Sequence, residues 1–354
     1  MLRGFANIRI ETCKARYFLL ALLIVSVSGF GQVSAVVAKT SNFHIIVARD
    51  GGGNYKTIQA AVDSIPANNP NHVVIYIKKG TYHEIVTVPP NKPYITFLGQ
   101  DEKSTIITSK NYNGKPKPGG GTYGTSDSAG VFIQGDHFTA KNITFQNTAG
   151  AVGQAVAINV TADFSYFDSC QFLGWQDTLY AHTGRQYYSN SYITGNVDYV
   201  FGNATAVFEK TKFHNLGGNG GTITAQKRSA SSETTGFVLN SDIIDGAIAN
   251  SIYLGRPWGP YARVVVMNSQ INSDITPDGW RNWSTAGYSR TAYFAEYNNN
   301  GSGSNTSRRV SWSHQLTAQE AKQYATDKFL NRKGWLTSAK QALEALSAAS
   351  FPKK

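Results

Sequence analysis

Two aspartates, Asp177 and Asp198, stand 21 residues apart in polar blocks with aromatic neighbours, Gly174-Trp175-Gln176-Asp177-Thr178-Leu179-Tyr180 and Val197-Asp198-Tyr199-Val200-Phe201-Gly202-Asn203. If the chain coils with a period near 21 residues, they occupy equivalent places on successive turns, about 4.8 Å apart. Two carboxylates that close cannot both ionise comfortably, so one keeps its proton and the other stays an anion: an acid beside a nucleophile or base. Gln154 and Gln176 add neutral amide donors suited to a developing oxyanion, and Arg256, in Leu254-Gly255-Arg256-Pro257-Trp258, can grip a carboxylate with two parallel N–H bonds. Spacing alone leaves open a plainer reading in which both Asp merely cap turns.

Other familiar devices are missing. The sequence has no Gly-x-Ser-x-Gly elbow, no His-Glu-x-x-His, no Cys pair for zinc and no Gly-Lys-Ser/Thr phosphate loop, and its 7 His are scattered. Gly119-x-Gly121-x-x-Gly124 lacks the strand before it and the helix after it that a dinucleotide site needs. No metal and no cofactor are expected.

The elements that must position these residues are short strands. Gly at 34 and Tyr plus Phe at 37 in 354 residues, against 2 Met, favour strands and turns over a helical bundle. Six tetrads share one pattern: Asn142 to Phe145, Ser169 to Phe172, Asn190 to Ile193, Lys210 to Phe213, Asn240 to Ile243 and Asn268 to Ile271. Their last residues are spaced by 27, 21, 20, 30 and 28, the period of a coil of three short strands with variable loops. The expected fold is therefore all-β, a right-handed parallel β-helix whose longer loops build the site. A β-sandwich is the alternative, weakened by the repeat and by the lack of regular hairpin signals. Strands are expected at His44–Val47, Val73–Ile77, Ile85–Val88 and Tyr94–Leu98. A short N-terminal capping helix, with Ile58, Ala61, Val62 and Ile65 on one face, starts near Thr57 and stops at Pro66. Asn111 to Gly130 reads as a long surface loop. Leu316 to Leu330 and Leu336 to Leu346 read as two helices docked outside the coil.

The N-terminus carries Arg3, Arg9, Lys14 and Arg16 before an apolar stretch from Tyr17 to Phe30, followed by Val33-Ser34-Ala35. Fourteen apolar residues are short for a span of about 20, so residues 1–35 read as a signal peptide, with an uncleaved signal anchor as the alternative. Removal of 1–35 would lower the formal charge from +11 to +8 and leave Cys170 alone after Cys13 departs. No intramolecular disulfide can form in such a chain, and the apolar setting of Cys170 suggests a buried structural thiol. A basic secreted protein favours a polyanion, acidic polysaccharide rather than nucleic acid, and no membrane partner is expected once the signal is gone.

The motifs taken together resemble those of the plant pectin methylesterases (pectinesterases). Gln-Asp-Thr-Leu-Tyr at 176–180, Val-Asp-Tyr-Val-Phe-Gly-Asn-Ala at 197–204, Ile-Thr-Ala-Gln at 223–226 and Leu-Gly-Arg-Pro-Trp at 254–258 occur in the family's order, and Asp136 to Gly150 and Tyr293 to Tyr297 extend the match. The resemblance implies a catalytic β-helix over 45–354 that hydrolyses methyl esters of homogalacturonan, releasing methanol. It implies Asp198 as nucleophile, Asp177 as acid and then base, Arg256 as the partner of Asp198, and Gln154 and Gln176 as the oxyanion site. Tyr180, Phe201, Trp258 and Trp280 would line the sugar-binding cleft, where flat apolar faces suit pyranose rings, and Thr125 would contact substrate. It further implies a monomer and, as a candidate partner, a proteinaceous pectin methylesterase inhibitor.

The sequence departs from the family in three ways. The signal runs almost directly into the first coil, without the inhibitor-like pro-domain of many plant members. Ser191 and Thr211 stand near positions where many members carry cysteines. Tyr199 and Val200 replace the commoner Phe and Ile, mild changes for a packed strand. A lyase or polygalacturonase on the same fold would want calcium carboxylate clusters or glycosidase-spaced acids, which the Gln, Asp and Arg set fits poorly. A catalytically idle wall-binding module is at odds with the presence of all five polar site residues.

Overall fold

The computed structural model describes residues 43–348 except 219, 273, 285–286 and 331–333. The expected signal peptide, 1–35, and Cys13 lie outside the described residues. Strands form three sheets of 11, 8 and 7 members, and the pairings between them are parallel. Each coil visits the sheets in turn, as in Arg185–Ser189, Tyr192–Gly195 and Val197–Gly202, then Thr205–Glu209, Lys212–Asn215 and Gly221–Gln226. This is the parallel β-helix that the repeat implied.

The repeated tetrads are the corners between the first and second sheets. Their leading residues Asn142, Ser169, Asn190, Lys210 and Asn268 all have φ between 49° and 56°, in the left-handed region, while their last residues pair in register: Phe145 with Phe172, Phe172 with Ile193, Ile193 with Phe213. A non-glycine residue held there costs on the order of 1–3 kcal/mol, with Asn best suited to it. Fully burying one Phe or Ile returns about as much, so a corner that stacks an apolar ring inside the coil is favourable. One tetrad is displaced from its expected position. Ser241, not Asn240, turns left-handed (φ 60°), and Ile244 pairs with Phe213 and Ile271 while Ile243 faces solvent at 42% exposure. Two adjacent Ile made either register readable in sequence. The corner is decided by the Ser241 N–H, which donates to Met267 O (3.1 Å), and by Asn240 staying in its strand with its amide on Glu209 (3.0 Å).

Inside the coil, Phe167, Tyr188 and Phe208 stack one above another with centroids 4.9 and 4.7 Å apart. The helix Ile58–Asp63 covers one end with Ile58, Ala61 and Val62, capped by Thr57, while the Glu84 carboxylate accepts the N–H groups of Ile58 and Gln59 (2.9 Å each). Towards the other end, Glu296 and Arg309 form a buried two-pronged pair (2.8 and 3.1 Å). The C-terminal segment differs from expectation. Helical turns at Ala318–Ala321 and Thr326–Phe329 are separated at Ala325, which is extended (ψ 137°), and only Trp335–Ala348 is a helix of several turns. Residues 316–330 carry buried anchors only at Leu316, Ala321, Tyr324 and Leu330, a spacing that one straight helix cannot keep on one face of the first sheet.

A column of proton donors runs up the corner behind the left-handed residues. Cys170 Sγ donates to Asp168 O (3.4 Å), Ser191 Oγ to Ser189 O (2.8 Å), Thr211 Oγ1 to Glu209 O (3.4 Å) and Ser269 Oγ to Met267 O (2.9 Å). Cys170 is the buried thiol expected, its pKa pushed up by burial. Asp242 fills the same column: its Oδ1 accepts from Thr211 N–H (2.7 Å), its N–H donates to Ser269 Oγ (3.0 Å), and its Oδ2 has no partner. Burial holds its carboxyl well above the ordinary range, with the Thr211 N–H pulling it down and the charge of Glu209 pushing it further up. A carboxyl with a raised folded pKa contributes stability while protonated and loses it as pH rises from the unfolded value through the folded one. Asp242→Asn is therefore expected to leave Tm nearly unchanged near pH 4 and to raise it increasingly towards neutral and alkaline pH, read by thermal unfolding across that range. A Tm difference that stays constant with pH would contradict a neutral Asp242.

Candidate functional site

The third sheet aligns the polar motifs across coils. Gln154 bridges Gln176 and Gln176 bridges Val197 in parallel; further along, Tyr180 pairs with Phe201, Phe201 with Ala225 and Ala225 with Arg256. Asp177 and Asp198 thus occupy the same place on adjacent coils, as their 21-residue spacing implied. Both are left-handed, with φ 61° and 49°. The residue after each is anchored inward against a glycine. Thr178 donates its hydroxyl to Thr194 O (3.0 Å) beneath Gly174, and Tyr199 lies fully buried over Gly195 with its hydroxyl on Asn215 Oδ1 (2.6 Å). A Cβ at Gly174 would stand 2.6 Å from Thr178 Oγ1, and one at Gly195 2.2 Å from Tyr199 Cβ. These close approaches pin the backbone on the core side of each aspartate at a position where left-handed strain must be held by its surroundings.

The two carboxylates have different neighbours. Asp198 accepts from Arg256 Nε (2.9 Å) and Nη2 (2.5 Å) and from the Thr222 hydroxyl. Trp283 lies over the guanidinium, 4.2 Å from ring centroid to Arg256 Cζ. Among the described residues Asp177 accepts no side-chain hydrogen bond; burial first, then the charge of Asp198, push its carboxyl well above the ordinary range, with Arg256 pulling the other way. Two carboxylates stacked this closely do not both ionise readily, and the hydrogen-bond donors all lie on the Asp198 side.

Gln154 and Gln176 stand beside the carboxylates on two adjacent coils. Gln154 is oriented by Asn113, whose amide donates to Gln154 Oε1 (3.1 Å) and whose backbone N–H donates to Gln154 O (2.9 Å). The Gln154 NH₂ group remains for the cleft. The segment 111–130 is therefore more than a surface loop. Its short 3-10 turn Ser126–Ser128, fixed by Ser128 Oγ on Thr125 O (2.7 Å) and by Val156 N–H on Ser128 Oγ (3.2 Å), presents Thr125 and Ser126 to the cleft. The floor is aromatic: Tyr180 stacks on Phe201 and on His182 at 4.1 Å each, and Trp258 tilts towards Phe201 at 5.9 Å.

Nine of the ten expected site residues thus meet in one cleft of about 420 Å³. Trp280 is the exception. It is fully buried, packed 4.8 Å from Phe294, and its Nε1–H donates to Glu296 (3.1 Å). After Arg256 the chain returns alongside Gly255 and turns this ring into the coil, where the Glu296–Arg309 pair satisfies its N–H; Trp283, three residues later, faces the cleft instead. Sequence reading also passed over Thr222, Asn113, Ser126 and Lys227. Only Thr222 left a signal, being one coil beyond Asp198 in the strand that ends in the Ile-Thr-Ala-Gln block.

Comparison with known proteins gives the family and the fold. The sequence model of the Pectinesterase family matches residues 44–333. Pectinesterase 31 of Arabidopsis thaliana is 42% identical over 294 residues, which is 80% of this chain and 91% of that one. Pectinesterase/pectinesterase inhibitor 3 of the same plant is 40% identical over 306 residues, 82% of this chain, and the match spans 51% of its length. Among solved structures, a pectin methylesterase from carrot is similar with a TM-score of 0.79 at 38% identity, covering 90% of this chain and 99% of that chain.

Proposed function

The chain belongs to the pectinesterase family and is an ester hydrolase that demethylates pectin, and we propose that Asp198 is its nucleophile and Asp177 its acid and base. The observation that carries this is the asymmetry of the pair: a cradle of donors around Asp198, none around the raised Asp177. Asp198 attacks the methyl ester carbonyl of a galacturonate unit in homogalacturonan, and the carbonyl oxygen takes the negative charge between the amides of Gln154 and Gln176. The carbonyl re-forms as the bond to the methoxy oxygen breaks, and Asp177 gives that oxygen its proton, so methanol leaves and an acyl-enzyme anhydride remains. Asp177, now a carboxylate, takes a proton from water, which attacks the same carbonyl; Asp198 departs as a carboxylate and the free uronate is released. Arg256 grips the Asp198 carboxylate with two prongs before attack and receives it again when the acyl bond breaks, in a planar geometry that a lysine cannot copy. Thr125, Tyr180, Phe201 and Trp258 seat the sugar rings.

Methanol release from highly methylated pectin tests the roles. Asp198→Ala is expected to abolish turnover, while Asp177→Asn still binds pectin and releases methanol slower by a factor on the order of 10² to 10⁴. Wild-type activity falls as pH rises through the raised pKa of Asp177, and this alkaline limb disappears in Asp177→Asn. Near wild-type release by Asp198→Ala with a dead Asp177→Asn would reverse the assignment.

Asn113 acts through Gln154 as a positioning residue. Asn113→Ala should lower kcat about tenfold, less than outright loss of an oxyanion donor, with KM within about twofold and Tm unchanged. A loss confined to KM would remove it from this role.

We further propose secretion to the cell wall, supported by the basic and apolar pattern of residues 1–35. Among the described residues no helix is long and apolar enough to cross a membrane. Of the sequons at Asn142, Asn159, Asn203, Asn282 and Asn305, Asn305 is exposed. Asn159 is buried, and Asn203 is bound to Glu233 and Thr235 (2.7 Å each). Glycan mapping should find Asn305 occupied and Asn159 and Asn203 bare; the opposite pattern would contradict N-glycosylation on the folded surface.

A further inference from the structure

At the corner where the third sheet passes to the first, outside the catalytic cleft, the starts of four strands align Arg185, Thr205, Gly236 and Arg263 in one row. The C-terminal segment faces this row with Gln323, Tyr324, Lys328 and Phe329, and the two walls enclose a cavity of about 510 Å³. Its charges are unbalanced. Arg185 is committed to Asp163, with Nε 2.9 Å from Oδ1 and a second contact from Nη2. Arg263 uses only its backbone N–H, donated to Gln226 Oε1 (2.9 Å), and its side chain crosses Gly236, where a Cβ would lie 3.1 Å from it. Lys328 is exposed, and among the described residues neither cation forms an ion pair.

Arg228 sits beside them. Its Nη2 donates to Ser231 O, its Nε is buried without a partner, and burial first and the charge of Arg263 second lower its pKa. Glu233 offsets part of this at longer range, but its carboxylate is engaged by Asn203 Nδ2 (2.7 Å). The Arg228 Nε is an unsatisfied donor near enough to Arg263 to feel its charge, and an anion at this corner would relieve that repulsion. Thr234, Thr235 and Gln323 add hydroxyl and amide groups, and Tyr324 and Phe329 add ring faces. Cations, neutral hydrogen-bonding groups and aromatic faces in one cavity are the complement of a sugar acid.

We propose that this cavity is a second carbohydrate site that binds the free uronate carboxylates of de-esterified galacturonan. The inference rests on the pectin-demethylating reading, since that reaction makes the ligand. One loop links the two sites: Lys227 lies over Trp258 in the cleft (4.2 Å to the ring centroid), while Thr234 and Thr235 line the corner cavity. The Gln226 amide oxygen accepts the N–H of both Arg228 and Arg263 (2.9 Å each), tying the loop to the row. Product formed in the cleft is thus retained by a neighbouring patch that does not recognise the neutral ester.

The test is calorimetric titration of the intact enzyme with a long, fully de-esterified oligogalacturonide at low and raised salt, for wild type, Lys328→Gln and Arg263→Gln/Lys328→Gln. The double variant should bind about tenfold more weakly, equivalent to about 1.4 kcal/mol, with a shallower salt dependence. The single exposed variant should fall between, which keeps the test valid if the double variant misfolds. Methanol release from a short, fully methylated oligomer should stay within about twofold of wild type in all three proteins. Unchanged affinity and salt dependence would overturn the site. Equal weakening towards a long, fully methylated oligomer would overturn its preference for carboxylates, as would inorganic phosphate competing as well as a uronate oligomer. Failure of the pectin-demethylating reading would appear separately, as a wild-type enzyme that releases no methanol.

Discussion

Parallel pairing between coils is the constraint from which the rest of the molecule follows. Each backbone N–H and C=O in a coil must find its partner on the next, about 4.8 Å away, so a residue at one position always neighbours its counterparts above and below. The interior is therefore a set of columns, Phe167 on Tyr188 on Phe208, and the corners are columns as well, with left-handed residues at 169, 190 and 210. The same rule puts Asp177 against Asp198. The like-charge contact that raises Asp177 is not a separate design element; it follows from two coils carrying the same residue at the same position.

The repeat brings the pair together, but departures from it make the members unequal. Asp198 gains Thr222 from the following coil and Arg256 from the coil after that, whereas the coil before Asp177 offers the neutral Gln154. The Arg256 pair is partly buried, where a two-pronged guanidinium contact is far less screened than at the surface. The left-handed backbone at both aspartates is tolerated because Thr178 and Tyr199 are locked to the core over Gly174 and Gly195. Site strain and core packing are in this respect one problem: a side chain that filled either glycine would displace the anchor and release the carboxylate beside it.

What the sequence revealed tracks this periodicity. The coil, its period, the capping helix and most of the nine expected residues that meet in the cleft were legible because each repeats a pattern or belongs to a motif. Errors arose where periodicity is degenerate or ends. Ile243 and Ile244 are adjacent and equally apolar, so the corner hydrogen bond of Ser241, invisible in sequence, had to choose between them. Trp280 and Trp283 lie after the last full coil, where strand alternation no longer predicts which ring turns inward. Asn113 reaches Gln154 across 41 residues from an irregular loop, and no local pattern encodes a contact of that kind. The tail has the composition of helices, yet the extended backbone at Ala325 is set by the sheet face that Tyr324 and Leu330 must cover.

Along the axis of the coil the polar groups come in a fixed order: Gln154, then Gln176 with Asp177, then Asp198, then Thr222, then Arg256. Neutral donors stand at one end and the permanent cation at the other, with the acid and the anion between them. The cation and its donors thus stand on the Asp198 side, and in the proposed mechanism the amides at the other end receive charge only when it moves onto a substrate oxygen. In the proposed cycle Asp177 loses its proton only after the acyl bond has taken up the charge of Asp198, so the like-charge contact that adds to burial in keeping Asp177 protonated is absent when it acts as a base. On that proposal one side chain serves in both directions because its neighbour's charge disappears and returns within the cycle, an alternation that stacking on adjacent coils provides.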